Sequence, residues 1–190
     1  MEPGSRKERE RAERRRAIIT AARDIAESEG WPAVTTRRLA QSIEYSQPVI
    51  YGHFANMQAI VAAVAIEGIV ELTVHLRRAR LAAAPENIPD AVAWAYLDFA
   101  RAHPALFDAM FTLPNGLDFG GPDAPVELVD AFGELIEAFA PLAKGEDQET
   151  YVEMAWSAIH GQTVLGMSGR LRPQVAAERM AMLVRVLKRE

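Results

Sequence analysis

The chain has 190 residues, no cysteine, 49% hydrophobic and 25% charged side chains, and a formal net charge of −5. The missing thiols exclude a disulfide scaffold, an iron–sulfur cluster, a cysteine zinc site and a cysteine nucleophile. No apolar run approaches the ~20 residues that span a bilayer and no signal-peptide core follows the arginine-rich start, so a soluble, cytoplasmic protein is expected, one whose acidic balance speaks at first against nucleic acid.

Residues 1–57 carry ten Lys/Arg against eight acids, seven of the basic ones between Arg6 and Arg16, whereas the remaining 133 residues have a net charge of −7. A basic head on an acidic body removes the objection to a nucleic-acid partner. Ile18, Ala21, Ala22, Ile25 and Ala26 follow i, i+3, i+4, i+7, i+8, the stripe of an amphipathic helix, and Gly30-Trp31-Pro32 stops it. Thr35-Thr36 offers an N-cap to a short helix with Leu39, Ala40 and Ile43 on one side. A break at Glu44-Tyr45 precedes Ser46, a second cap candidate, and Pro48 fits the first turn of a third helix beginning at Gln47 or Pro48, where a missing N–H costs little.

A long helix is expected over 56–83, then helical patterns over 92–100 and 106–111, broken at His103-Pro104. Residues 113–123 read as a loop. A helix over 126–140 is expected to turn Leu128, Val129, Phe132, Leu135, Ile136 and Phe139 inward, and two final helices are expected over 147–168 and 173–188. With no alternating strand pattern, the fold class is all-α with about nine helices. The expected division is an N-terminal arm and helix-turn-helix head over 1–57 and a ligand-binding and dimerisation domain over 58–190.

Three successive helices, the last two short and joined by a tight turn, form a helix-turn-helix, whose second short helix aims its N-terminal residues at base edges in the major groove. The stretch Val34 to Val64 resembles the DNA-binding domain of the TetR/AcrR family of transcriptional repressors, through Thr35-Thr36, Leu39-Ala40, Ser46, Ile50-Tyr51 and His53-Phe54, with Glu29-Gly30-Trp31 closing the preceding helix. Side-chain chemistry agrees. Arg37 can bond guanine O6 and N7, Gln47 can bond adenine N6 and N7, and Pro48 and Val49 suit a thymine methyl. The resemblance implies base-contacting roles for Arg37, Gln47 and Pro48. Thr36, Ser46, Tyr51 and His53 suit phosphate contacts that set register without reading sequence, and for Thr36 and Ser46 capping is an equal and compatible role. Two positions depart from the family pattern: Glu44 stands where a glycine is usual, in a turn that often needs positive φ, and Met57 stands where many members have a lysine. Both weaken the sequence-independent attraction; the N-terminal arginines are placed to compensate.

The resemblance also implies a small-molecule effector and a homodimer. Tyr96 to Phe111 and Trp156 to Gly161 are similar to a C-terminal domain of one branch of the family, known for a Trp-His-Gly signature. Candidate effector-lining residues are Trp94, Phe99, His103, Phe107, Met110, Phe111, Phe132, Trp156 and His160, a set suited to a small, largely apolar molecule; most such aromatics are ordinary core, and the two histidines are as readily structural. The last two helices are candidates for the dimer surface through Ala155, Ala158, Ile159, Gln162 and Leu165 on one and Ala176, Met180, Leu183, Val184 and Leu187 on the other, which would form a four-helix bundle about a two-fold axis. A two-fold dimer implies a palindromic operator. No phosphate-binding loop, nucleophile elbow or metal-spaced histidine pair occurs, so neither catalysis, a cofactor, a metal nor a membrane partner is expected.

Overall fold

The computed structural model describes residues 3–121 and 124–189; Pro122 and Asp123, the end of the expected 113–123 loop, lie outside them. The described residues form nine α-helices and no strand. α1 (Pro3–Glu29) buries the expected stripe, with Ile18 and Ala22 fully inaccessible. It is longer than that stripe: the arginine-rich segment is not an extended arm but part of the same helix, with Glu10 paired to Arg6 (3.0 Å) and Arg14 (3.6 Å) one turn away on either side. α1 stops at Gly30, whose φ of 85° only glycine adopts freely.

α2 (Thr36–Ser42) is capped by Thr35, whose hydroxyl accepts from the Arg38 N–H at 3.2 Å. Thr36 is therefore the first helical residue and not the cap. The turn to α3 (Gln47–His53) closes through Tyr45 N–H to Ala40 O (2.9 Å) and passes through Glu44 at φ 57°, the left-handed conformation expected there. Ser46 caps α3 with its backbone carbonyl alone, accepting from Val49 N–H at 3.0 Å.

α4 (Met57–Ala82) starts where Asn56 Oδ1 accepts from Ala59 N–H. It corrects the expectation about apolar runs: this helix is long and apolar enough to cross a membrane by length and composition. Yet 56% of its most apolar window is buried inside the protein, as in a core helix, and Glu67 and Glu71 interrupt it. α5 (Ile88–Ala102) and α6 (Pro104–Phe111) are separated at His103. The following loop folds back through Asn115, whose Nδ2 donates to the carbonyls of Ala109 (2.8 Å) and Met110 (3.1 Å) and so closes the end of α6.

α7 (Val126–Phe139) buries Leu128, Leu135, Ala138 and Phe139, but Val129, expected inside, is 58% exposed. The buried face is rotated because it contains Glu134, 4% exposed, whose carboxylate accepts from Arg77 Nε (2.6 Å) and Arg80 Nε (2.8 Å) of α4. Burial pushes this carboxyl up, and the bonds from Arg80 and Arg77 outweigh it, holding the group below its ordinary value. α8 (Gln148–Met167) begins under Asp147, whose Oδ1 accepts from Thr150 N–H at 2.9 Å. A single 3-10 turn, 173–175, precedes α9 (Ala176–Lys188), so the last helix starts three residues later than its pattern suggests.

The helices form two compact units. The first comprises residues 1–68 and 103–118, the second residues 69–102 and 119–190. In the first, α6 packs on α1. Glu27 accepts from the N–H groups of Ala105 (3.3 Å) and Leu106 (3.1 Å), the unpaired donors of α6's first turn, and Trp31 Nε1 donates to Ala105 O (2.7 Å). Gly68 of α4 lets Leu106 and Met110 come so close that a Cβ there would lie 2.8 Å from both. In the second unit α5, α7, α8 and α9 pack together, with Lys188 Nζ 2.7 Å from Asp90 Oδ2.

Candidate nucleic-acid interface and effector residues

α3 is held from beneath by Ile50 and Phe54, 1% and 3% exposed. That anchoring leaves its opposite face in solvent: Ser46, Gln47, Pro48 and Tyr51 are exposed, and Val49 and His53 half-buried. Thr36, half-buried at the start of α2, brings its hydroxyl within 3.4 Å of Gln47 Oε1 and so ties the two helix starts together. The adjacent arginines of α2 have different surroundings. Arg38 is ion-paired with Glu29, whereas Arg37 is exposed and makes no ion pair among the described residues. An arginine free of internal partners beside an exposed glutamine at a helix start is a surface able to read base edges.

His53 closes α3 beside α1. Burial lowers its imidazole pKa, and the charges of Arg11, Arg14 and Arg15 lower it further. Arg15 also lies over the Phe54 ring, 4.3 Å from its centroid. The grouping of three arginines around His53 was not read from the sequence, although the spacing of 11, 14 and 15 places them on one helical face. Arg14 is shared with Glu10 (3.6 Å), and the three arginines together leave an excess of positive charge beside His53.

The nine candidate effector residues do not share one unit. His103, Phe107, Met110 and Phe111 belong to the first, where the rings of Phe107 and Phe111 meet at 4.9 Å. Trp94, Phe99, Phe132, Trp156 and His160 belong to the second. There the structure adds Tyr96, which is not among the nine. Its hydroxyl lies 2.8 Å from His160 Nδ1 and accepts from Trp156 Nε1 at 3.2 Å. Burial lowers the His160 imidazole and raises the Tyr96 phenol, so both are neutral near pH 7. Which of the two donates follows the imidazole tautomer. Phe132 meets Trp156 edge-on at 6.5 Å, extending the cluster.

The dimer candidates divide in another way. Ala155, Ile159, Met180, Val184 and Leu187 are at most 2% exposed and form the protomer's own core, so they present no surface to a partner; this corrects half of the expected set. Of the rest, Ala158, Gln162, Ala176 and Leu183 are half-buried and Leu165 is exposed. The apolar side chains that do reach solvent on α8 and α9 are Met154, Leu165, Met167, Met182 and Val186. A stripe of apolar residues on a helix says that it is covered, not by which chain. Among the described residues no group of three His, Asp or Glu side chains is placed to hold a metal.

Two short helices joined through a tight turn, the second exposed along its N-terminal half and seated on a three-helix core, make a DNA-binding head of the helix-turn-helix class. Comparisons with known proteins agree with that geometry. Residues 18–64 match the bacterial regulatory proteins of the tetR family, and residues 90–188 match the tetracyclin repressor-like C-terminal domain. A helix-turn-helix transcriptional regulator of Mycobacterium tuberculosis is 27% identical over 82% of this chain and 71% of its own length. The class D tetracycline repressor of Escherichia coli is 38% identical over 28% of this chain and 24% of its own. Among solved structures, a Rhodococcus protein superposes with a TM-score of 0.70 at 25% identity, covering 92% of this chain and 95% of that one. BioQ, solved with its double-stranded DNA operator, gives 0.64 at 22% identity over 93% and 98%. FadR of Bacillus subtilis, solved with stearoyl-CoA, gives 0.62 at 14% identity over 88% and 96%. The chain belongs to the TetR family and is a DNA-binding transcriptional regulator.

Proposed function

We propose that the protein is a cytoplasmic, homodimeric repressor that holds a palindromic operator and releases it on binding a small, largely apolar effector. The observation that carries the reading is the solvent-facing start of α3, with Gln47 and Pro48 exposed beside the unpaired Arg37. Arg37 reads a guanine, Gln47 an adenine, and Pro48 and Val49 a thymine methyl, while Thr36, Ser46, Tyr51 and His53 bond phosphates. In functional terms the head is residues 1–57 and the effector and dimerisation domain residues 58–190.

The effector occupies the aromatic cluster of Phe132, Trp156 and His160 in the second unit, with Trp94 and Phe99 as further contacts and Tyr96 as a further polar one. BioQ bound to an operator and FadR bound to stearoyl-CoA support a DNA partner and an apolar effector for this fold. The dimer face is the stripe Met154, Ala158, Gly161 and Leu165 of α8 with Met182 and Val186 of α9, where the small Ala158 and Gly161 allow close approach. Induction requires the effector to bind the DNA-free dimer more tightly than the DNA-bound one.

Selection of bound sequences from random DNA tests the reading. It should return an inverted repeat, with half-sites about one helical turn apart. Arg37→Ala and Gln47→Ala should each cost about 1–3 kcal/mol and relax preference at one base pair per half-site. Recovery of no preferred sequence would refute specific recognition, and an effector that binds free and DNA-bound dimer equally would refute induction.

A further inference from the structure

The second unit contains a cavity that neither the DNA-reading surface nor the aromatic cluster uses. It lies where the ends of α5 and α8 meet the start of α9 and has a volume of about 120 Å3. One water needs roughly 15 Å3 on this measure, so the space suits a small organic molecule. Leu97, Leu171 and Met180 supply apolar wall, and Arg101, Gln162 and Arg179 supply the polar groups. No carboxylate lines it. Neither arginine makes an ion pair among the described residues.

Arg179 is the inner cation. Its Nη1 donates to the carbonyl of Arg172 at 3.2 Å, but its Nε is buried with no hydrogen-bond partner. A buried guanidinium N–H left unsatisfied is costly, and a second cation, Arg101, on the rim of the same cavity adds repulsion. In a segment with a net charge of −7, two unpaired arginines around one cavity are not a consequence of composition. Guanidinium N–H groups match the two oxygens of a carboxylate, and the apolar walls match a short hydrocarbon body.

We propose that this cavity is a binding site for a small organic monocarboxylate, its oxygens on Arg179 and Arg101 and its hydrocarbon against Leu97, Leu171 and Met180. The site goes beyond the repressor reading and depends neither on DNA binding nor on the aromatic cluster.

The test is calorimetric titration of the full chain, at constant ionic strength, with acetate, butyrate, hexanoate and benzoate. Butanamide serves as the uncharged counterpart and inorganic phosphate as an anion without hydrocarbon. At least one carboxylate should bind saturably, and butanamide and phosphate should not. Arg101→Gln, an exposed position that folding tolerates, should weaken binding about tenfold, the typical worth of a charge-assisted bond. Gly166→Leu is the second variant. Gly166 borders the cavity, and a Cβ there meets nothing within 4 Å; the leucine should fill the cavity and abolish binding while helix propensity favours the fold. Absence of saturable binding by all four carboxylates, equal binding of butanamide, or undiminished binding by Gly166→Leu would each overturn the proposal.

Discussion

Glu134 offers the most direct test of how the second unit is held together. In Glu134→Gln the volume is kept, but one acceptor oxygen replaces two, and the new NH2 group opposes a guanidinium. Arg77, whose side chain is 51% exposed, can turn into solvent; Arg80, at 19%, cannot do so freely and keeps only the more distant Glu137, at 3.9 Å, as counter-charge. Breaking a fully buried pair from one side costs about 3–5 kcal/mol. With one arginine able to rehydrate, the lower end applies, about 3 kcal/mol. For a chain of this size that corresponds to a fall in Tm of roughly 6–12 °C. Urea unfolding at fixed protein concentration measures it, so that any effect of self-association is the same for both proteins. The pH dependence is a second readout. Because the folded carboxyl lies below its ordinary value, its contribution is fully present above the unfolded value of ~4.3 and is lost as pH falls through the folded one. Wild type and Glu134→Gln should therefore converge in acid. A loss below about 1 kcal/mol at pH 7, or a difference as large at pH 3 as at pH 7, would refute the reasoning.

Gly68→Ala should destabilise the first unit by about 1–2 kcal/mol, because overpacking against Leu106 and Met110 exceeds the helix-propensity gain; a thermal melt checks it. Glu44→Gly should stabilise the protein by about 0.5–1 kcal/mol by relieving a left-handed glutamate, and should raise affinity for DNA of any sequence at low salt by removing a carboxylate; fluorescence anisotropy reads the second effect. Tyr96→Phe removes the oxygen that bridges Trp156 and His160 and should cost about 1–2 kcal/mol in a chemical-denaturation midpoint. Because burial holds the folded His160 imidazole below its ordinary value, its contribution to stability is present above pH ~6.5 and is lost as pH falls toward the folded value. The slope of stability between pH 5 and 7 should therefore be shallower in His160→Gln than in wild type.

What could be read in the sequence was what depends on near neighbours. The stripe Ile18 to Ala26, the stop at Gly30 and the proline in the first turn of α3 are local rules, and the structure follows them. So is the strain at Glu44, since a turn between two short helices demands a left-handed residue whatever occupies it. The choice of Thr35 over Thr36 as cap turns on one residue of helix phase, which two adjacent threonines do not settle. The apolar spacing of 126–140 turns Val129 inward as readily as Leu128, and nothing adjacent to Glu134 in the chain marks it as buried. Glu134 is inside because Arg77 and Arg80 meet it from more than fifty residues away. Tyr96 is likewise defined by partners sixty residues distant. Half of the expected dimer stripe lies in the protomer's own core for another reason: Ala155 and Val184 satisfy the same periodicity whether the covering helix is their own chain's or a partner's.

The latch of Glu27 and Trp31 on α6 has a consequence for synthesis. The first unit is discontinuous, and its α6 is encoded after the whole of α5. At ribosomal rates of about 5–20 residues per second, residues 69–118 follow residue 68 by roughly 3–10 s. During that interval Glu27 has no α6 amides to accept from, Trp31 Nε1 has no Ala105 carbonyl, and the groove at Gly68 is bare. A nascent chain that has emerged only as far as α4 already contains every residue proposed to face DNA, yet lacks the helix that completes the unit supporting them. Chains stalled or cleaved before α6 should therefore be substrates for proteolysis, and should not act as effector-blind repressors competing for the operator.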